Sequence, residues 1–245
     1  MNQKRFQEAK DKIIGKNRDR QKIGTLSEKT IHAVVKNYYE PDINKQEIAI
    51  DGMFADIFTG SEIIEIQTRS FDKLRKKLDR FLPLYPVTVV LPIPDTKWIF
   101  WIDPDTGECS KKRKSPKKGT PYQAFLELYK IKPYLKKAGL TIKFLFMDME
   151  EYKLLNGWSK DRKHGSERFD RIPLSLTREY TFSNPMDYMS LFPENIPVTF
   201  TSRELASFLK ISSRHCNVFL NITFYLGLVN RIGKKGNAYI YELNN

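Results

Sequence analysis

The chain has 245 residues, of which 40% are hydrophobic and 13% aromatic, so it can build a core and is not disordered throughout. Lys and Arg outnumber Asp and Glu by 42 to 29, and the resulting net charge of +13 favours a polyanionic partner. Two cysteines, three well-separated histidines and no long apolar run exclude a disulfide framework, a Cys/His zinc site and a membrane span, so we expect a cytoplasmic protein.

The N-terminal residues 1–24 are predicted to form a basic helical arm, because eight basic residues surround a thin apolar stripe. Such an arm is either a solvated helix or a helix that lies along a phosphate backbone. Residues 25–39 form the next predicted helix, with capping-box spacing between Thr25 and Glu28 and an end before Pro41.

Strands and helices alternate after Pro41. Strands are predicted over residues 46–50, 53–58 and 63–68, with Asp51-Gly52 as the turn between the first two. Ser70 is predicted to cap a helix over 71–82, and a buried β-branched strand follows over 87–93.

The middle of the chain is predicted to continue with a strand over 96–103, a helix over 121–135 and a strand over 141–149. Between the first two, residues 110–118 hold six basic residues and are expected to be a loop. Residues 159–197 are predicted as a basic loop and linker. Within it, Arg162, Lys163 and Arg168 lie around Gly165-Ser166, a composition that suits phosphate oxygens or a solvated loop.

The C-terminal residues 198–245 have their own pattern of two helices and a basic hairpin. Thr201 and Glu204 open the first helix, Ser212 opens the second, and Gly227 stops it. Two strands around residues 233–237 complete a unit that resembles a winged helix, a variant of the helix-turn-helix.

That resemblance implies a DNA-binding surface on the second helix and the hairpin. Polar side chains off the predicted apolar stripe of that helix, which could reach base edges, are Ser213, Arg214, Asn217 and Asn221. Lys234 and Lys235 at the hairpin tip would contact phosphate. A winged helix that binds protein instead is the alternative, and the basic tip disfavours it.

The charge balance inverts between Glu40 and Thr68, where seven acidic side chains accompany a single base, Lys45. If Gly60-Ser61 is a two-residue turn, counting back along the hairpin places Asp56 directly opposite Glu65. Like charges facing each other on a sheet are destabilising and raise one another's pKa. A hard divalent cation such as Mg²⁺ would resolve the conflict.

Asp56 followed by Glu65-Ile66-Gln67, on the second and third strands of a helix–strand–strand–strand–helix–strand unit, resembles the PD-(D/E)XK endonuclease superfamily. The resemblance implies that Asp56 and Glu65 hold Mg²⁺ or Mn²⁺ and that Glu28 is an additional acidic residue near the metal. Gln67 stands where the family usually has lysine, and it can orient water but brings no positive charge. Candidates for a migrated lysine or a phosphate contact are Arg69, Lys73 and Lys77.

The predicted fold is therefore α/β, with a restriction-endonuclease-like core over 25–158, a mixed sheet flanked by helices, plus a C-terminal winged helix-turn-helix. The predicted function is Mg²⁺-dependent hydrolysis of phosphodiester bonds, with double-stranded DNA as the favoured partner and a homodimer as one assembly that nucleases of this type adopt. Three alternatives stay open: a catalytically inactive DNA-binding protein, a transcription regulator of the same architecture, or a nuclease directed at RNA.

Overall fold

The computed structural model describes residues 1–15, 30–158 and 164–244. The helices are α1 (Gln3–Gly15), α2 (Thr30–Tyr39), α3 (Leu74–Phe81), α4 (Pro121–Leu128), α5 (Ser202–Phe208) and α6 (Ser213–Leu226). The first five strands are β1 (Gln46–Ile50), β2 (Met53–Phe58), β3 (Ile63–Ile66), β4 (Val87–Ile102) and β5 (Arg113–Lys114). The others are β6 (Leu140–Trp158), β7 (His164–Phe182), β8 (Thr199–Thr201), β9 (Val229–Lys235) and β10 (Ala238–Leu243). Short 3-10 turns occupy Ile43–Lys45, Phe71–Lys73, Tyr129–Tyr134 and Pro185–Leu191.

The protein is a mixed α/β structure with one large sheet flanked by helices. The sheet has seven strands in the order β1-β2-β3-β4-β6-β7, with β5 paired to β4. Strands β2 and β3 are antiparallel, whereas β3 and β4 are parallel, so the sheet is mixed. A separate antiparallel sheet has the order β8-β10-β9. The coarse fold prediction is thereby confirmed.

The chain divides into two compact units, neither of which is continuous in sequence. Unit 1 comprises residues 1–48, 92–119 and 145–179, and unit 2 comprises residues 49–91, 120–144 and 180–245. In unit 1, Phe6 of α1 is buried and meets Tyr38 of α2 edge-to-face with 5.7 Å between ring centroids. The basic N-terminal helix is thus attached to unit 1 by an aromatic contact.

The core of unit 2 is centred on an aromatic cluster. Phe125 of α4 meets Phe144, Tyr188 and Phe219 edge-to-face, at centroid distances of 6.2, 6.1 and 4.9 Å. Because Phe219 belongs to α6, this cluster joins the C-terminal helix to the rest of unit 2. The buried face of α6 is wider than the predicted stripe and includes Cys216, Phe219, Leu220 and Thr223.

Strand β4 replaces two predicted strands. It runs unbroken through Pro92 and Pro94 and joins the strands predicted over residues 87–93 and 96–103. The parallel pairing with β3 ends at Val90, whose carbonyl accepts from the Gln67 amide at 2.9 Å. The two prolines lie past that paired stretch, so their missing amide protons cost no hydrogen bond to β3.

Two further predictions about local structure are wrong. Residues 164–182 form strand β7 instead of a linker, and the missed signal is the alternation of Leu174 and Leu176 with polar residues. Ser70 makes no side-chain cap, and its backbone is left-handed at φ 61°. Both faces of β3 are buried, because it lies between β2 and β4 in the interior of the sheet.

Candidate functional site

The β2–β3 hairpin positions the two predicted metal ligands. The Thr59 amide donates to the Glu62 carbonyl at 3.0 Å, and Phe58 lies opposite Ile63 as predicted from the turn. The next pair along, Ile57 with Ile64, keeps the same register. The next residues along the two strands are Asp56 and Glu65, both in unit 2.

Asp56 and Glu65 each accept a hydrogen bond from a backbone amide of the opposite strand. The Asp56 amide donates to Glu65 Oε1 at 3.2 Å, and the Ile66 amide donates to Asp56 Oδ2 at 2.7 Å. Both carboxyl groups are removed from water, with exposures of 8% for Asp56 and 1% for Glu65. Burial, followed by the neighbouring charge of Asp56, raises the pKa of Glu65 to about 7.

Helix α3 supplies one positive charge to this pair. Lys77 Nζ lies 2.7 Å from Glu65 Oε2 and opposes the rise in the Glu65 pKa. Leu74 and Leu78, which are buried, turn one face of α3 inward, and Lys77 belongs to that face because it is three residues from Leu74. The apolar spacing of α3 therefore decides which of the candidate basic residues reaches the carboxylates.

The remaining candidates around β3 are placed differently. Gln67 Nε2 donates to the carbonyl of Arg69 and, at 3.3 Å, to that of Ser70. Its amide nitrogen is thus committed to the backbone turn between β3 and α3. The side chains of Arg69 and Lys73 are exposed, and neither has a hydrogen bond or ion pair to Glu65 among the described residues.

Predicted residues that lie outside the described ranges are Glu28, Arg162 and Lys163. Over residues 1–15, 30–158 and 164–244, no three His, Cys, Asp or Glu side chains come together as a group that could hold a metal. Asp56 and Glu65 thus form a pair within the described chain. Within the same ranges, no helix has the length and hydropathy needed to cross a bilayer.

The predicted nucleic-acid contacts of the C-terminal region are only in part at the surface. Ser213, Arg214 and Asn217 of α6 are exposed. Asn221 is half-buried, and its Oδ1 accepts from Lys132 Nζ at 3.1 Å. On the hairpin, Lys235 is exposed and Lys234 stands over the Tyr239 ring at 5.0 Å.

Arg168 leads to a cluster in unit 1 that the sequence analysis missed. Its Nε lies 3.4 Å from an oxygen of Glu151, which is only 2% exposed. Lys97 and Lys153 also contact this carboxylate, at 3.1 and 3.8 Å. Although burial acts to raise the pKa of Glu151, the three cations lower it below its ordinary value.

Neighbouring strands bring these four groups together. Glu151 and Lys153 share one face of β6, while Lys97 comes from β4 and Arg168 from β7. Most of the partners are therefore far apart in the chain. A polar residue on a strand of otherwise apolar character is the one local signal for such a buried group.

Comparison with known proteins gives a family. A protein of Treponema pallidum (strain Nichols), described as an uncharacterized protein, is 26% identical over 221 residues, which cover 90% of this chain and 87% of that protein. No solved structure matches the chain. The model of the family described as "Domain of unknown function (DUF8091)" matches residues 29–183, which include Asp56, Glu65 and Lys77. Since this match spans more than half of the 245 residues, the chain belongs to the DUF8091 family.

Proposed function

We propose that the protein is a metal-dependent nuclease of the PD-(D/E)XK type that hydrolyses phosphodiester bonds in DNA. The observation that carries this proposal is the convergence of Asp56, Glu65 and Lys77 in unit 2. Two carboxylates hydrogen-bonded across a hairpin, with a lysine 2.7 Å from one of them, make a compact site of mixed charge.

The donor set fits a hard divalent cation. Carboxylate oxygens are the ligands that Mg²⁺ accepts, and it commonly uses one or two carboxylates and completes its shell with water. Burial and the charge of Asp56 raise the pKa of Glu65 although Lys77 acts to lower it, and a cation on these oxygens would favour the charged form. Mg²⁺ or Mn²⁺ on these oxygens would polarise a phosphate and lower the pKa of a bound water.

The residues of the chain then have separate roles. Asp56 and Glu65 hold the metal, and the backbone amides of Asp56 and Ile66 keep the two carboxylates in position. Lys77 supplies the positive charge that Gln67 lacks, close to where a phosphate would gain negative charge. Gln67 holds the turn that leads into α3, and this keeps Lys77 facing β3.

The C-terminal residues 198–245 support the choice of DNA. Helices α5 and α6 are followed by the β9–β10 hairpin, and β8 pairs with β10 in register Tyr241 to Phe200. We propose that this arrangement is a winged helix that assists DNA binding. The capping box of Thr201 with Glu204 and the Ser212 cap, both predicted, define the starts of its helices.

A plasmid-nicking assay with Mg²⁺ tests the activity. Wild type should cleave supercoiled DNA. The cleavage rate should fall about 100-fold or more in each of the variants Asp56→Asn, Glu65→Gln and Lys77→Gln, because each removes a charge at the reacting centre. Asp51→Asn is the matched control, since Asp51 is an exposed acid in the turn between β1 and β2, outside the β2–β3 site. Its variant should cleave like wild type.

Thermal melting separates a metal site from a cleaving one. Mg²⁺ at about 100 times its dissociation constant should raise the free energy of unfolding of wild type by about 2.7 kcal/mol. It should not change the free energy of unfolding of Asp56→Asn or Glu65→Gln. If wild type and Asp56→Asn are equally inert on every DNA and RNA form and neither responds to metal, the nuclease proposal fails. The DNA-binding, non-cleaving alternative would then stand, favoured by the presence of only two carboxylates in the described part of the site.

A further inference from the structure

Helix α6 presents a polar face that is bordered by positive charges on both sides. Arg214 and Asn217 are exposed and lie three residues apart, on the side of the helix opposite the buried Phe219 and Thr223. Along the same face the helix continues through Asn221. The residues that border this face come from two different parts of unit 2.

The first border is formed by the 129–137 segment, which lies outside the C-terminal region. Lys132 Nζ is 5.2 Å from the centroid of Tyr225, and Lys136 Nζ is 4.9 Å from the same ring. Lys132 also stands 5.2 Å from the ring of Tyr129 and donates to Asn221. Two lysines of the α/β core are therefore fixed against the side of α6.

The second border is formed by the β9–β10 hairpin. The Arg231 guanidinium lies 4.4 Å from the ring of Phe224 on α6 and 4.3 Å from that of Tyr239. Lys234 Nζ also lies over the Tyr239 ring, 5.0 Å from its centroid. The rings of Phe224 and Tyr239 are each 40% exposed, so these cations are at the surface.

The mode of attachment leaves the positive charge uncompensated. An aromatic ring holds a cation through its quadrupole and does not neutralise it, whereas a carboxylate does. Among the described residues, none of the four cations makes an ion pair with a carboxylate. The sequence agrees, because residues 129–146 and 205–241 each contain five Lys or Arg and no Asp or Glu.

We propose that this surface, formed by Lys132, Lys136, Arg231 and Lys234 around α6, binds the phosphates of a DNA backbone on both sides of the helix. The 129–137 segment of the core thus takes part in DNA binding. This inference rests on the proposed function for the choice of DNA. Asn221, which holds Lys132, is a positioning residue for the phosphate contact and does not read base edges.

Several features favour nucleic acid over an anionic membrane. The cations are held at fixed positions by rings, and two such borders flank a polar helix face, as a backbone with regularly spaced phosphates requires. Membrane attachment needs apolar side chains that can enter the lipid. Here the partly exposed rings each have a cation over them, which would have to be dehydrated if the rings entered lipid.

The test measures how binding to a DNA duplex of about 25 base pairs depends on salt concentration. Fluorescence anisotropy reports the binding, and EDTA is present so that the DNA is not cleaved. In the double variant Lys132→Gln/Lys136→Gln, the negative slope of log K against log salt should become shallower by about 1 to 2. Binding at low salt should weaken about tenfold or more, and equally for unrelated DNA sequences. Arg231→Lys keeps the charge and should keep the slope. Lys45→Gln/Lys114→Gln, two exposed lysines of unit 1, is the matched control and should bind like wild type.

Each contrary result has a distinct meaning. If wild type binds DNA and the Lys132/Lys136 double variant keeps the full slope while melting normally, this inference is wrong and the proposed nuclease is unaffected. If the double variant instead loses binding to phosphatidylserine vesicles and not to DNA, the surface serves a membrane and the inference is again wrong. If wild type neither binds nor cleaves any nucleic acid, the proposed function fails with it.

Discussion

Glu65 in unit 2 and Glu151 in unit 1 are the same type of residue, equally buried on strands of the sheet, yet their pKa values move in opposite directions. Glu65 is 1% exposed and faces a second acid, Asp56, with one lysine beside it. Glu151 is 2% exposed and is contacted by three cations. Burial acts to raise both pKa values, and the local balance of charge decides the outcome.

The difference separates a carboxyl that faces a second acid from one that three cations contact in the described part of the chain. A buried acid surrounded by cations contributes to folding, because removing it leaves several charges without a partner. A buried carboxyl that faces a second acid opposes folding through the repulsion between the two charges. The comparison therefore predicts that Glu151 stabilises the fold, whereas Glu65 is the residue that we propose as a metal ligand, and four measurements can test this difference.

The largest expected effect is on Glu151. Glu151→Gln should lower the free energy of unfolding by about 3 kcal/mol, because the buried carboxylate loses its charge-assisted contacts with Lys97, Lys153 and Arg168. Urea unfolding at pH 7.5 in EDTA measures it. A loss smaller than that of Glu65→Gln would reverse the comparison.

The acid limb of stability should also depend on Glu151. A carboxyl whose pKa is lower in the folded state stabilises above its unfolded pKa, and this contribution is lost as pH falls through the folded value. Wild type should therefore lose stability between about pH 5 and pH 3 more steeply than Glu151→Gln does. Melting temperatures across this range provide the measurement, and parallel curves for the two proteins would contradict the expectation.

Glu65→Gln should have the opposite sign in the absence of metal. The amide oxygen can still accept from the Asp56 backbone, while the repulsion between two buried carboxylates is gone, so stability should rise by roughly 1 kcal/mol. Lys77 is 25% exposed and can be solvated once its partner is neutral. Urea unfolding in EDTA checks this, and a loss above about 3 kcal/mol would place Glu65 with Glu151 as a structural acid.

The smallest effect belongs to an ion pair one residue from Glu151. Lys112 meets Glu150 at 2.9 Å with its side chain 46% exposed. Lys112→Gln should change the free energy of unfolding by less than about 1 kcal/mol, because solvent screens exposed pairs. The same unfolding experiment applies, and a larger cost would show that burial is not what distinguishes Glu151.

The hairpin could be predicted because its geometry is local. A two-residue turn at Gly60-Ser61 determines which residues face each other, so the pairing of Asp56 with Glu65 follows by counting. Lys77 could be named but not chosen over Arg69 and Lys73. The choice depends on which face of α3 is buried, and the apolar spacing of that helix contains this information.

The Glu151 cluster could not be predicted, because its members come from three strands and Lys97 is more than 50 residues from Glu151 in the chain. Only the three-dimensional pairing of strands brings Lys97 and Arg168 to the same carboxylate. Because residues 159–197 are predicted as a linker, the strand that carries Arg168 is missing from the predicted sheet. Similarly, the cations beside α6 include Lys132 and Lys136 from a segment that the helix pattern does not point to.

The two compact units are interleaved along the chain, since β4, β6 and β7 each begin in one unit and end in the other. Neither unit can be released by a single proteolytic cut, and neither can be produced alone as one uninterrupted polypeptide. Disruption of any one of these strands reaches both units through the covalent backbone. We therefore expect that neither unit can finish folding during synthesis until most of the chain has been made.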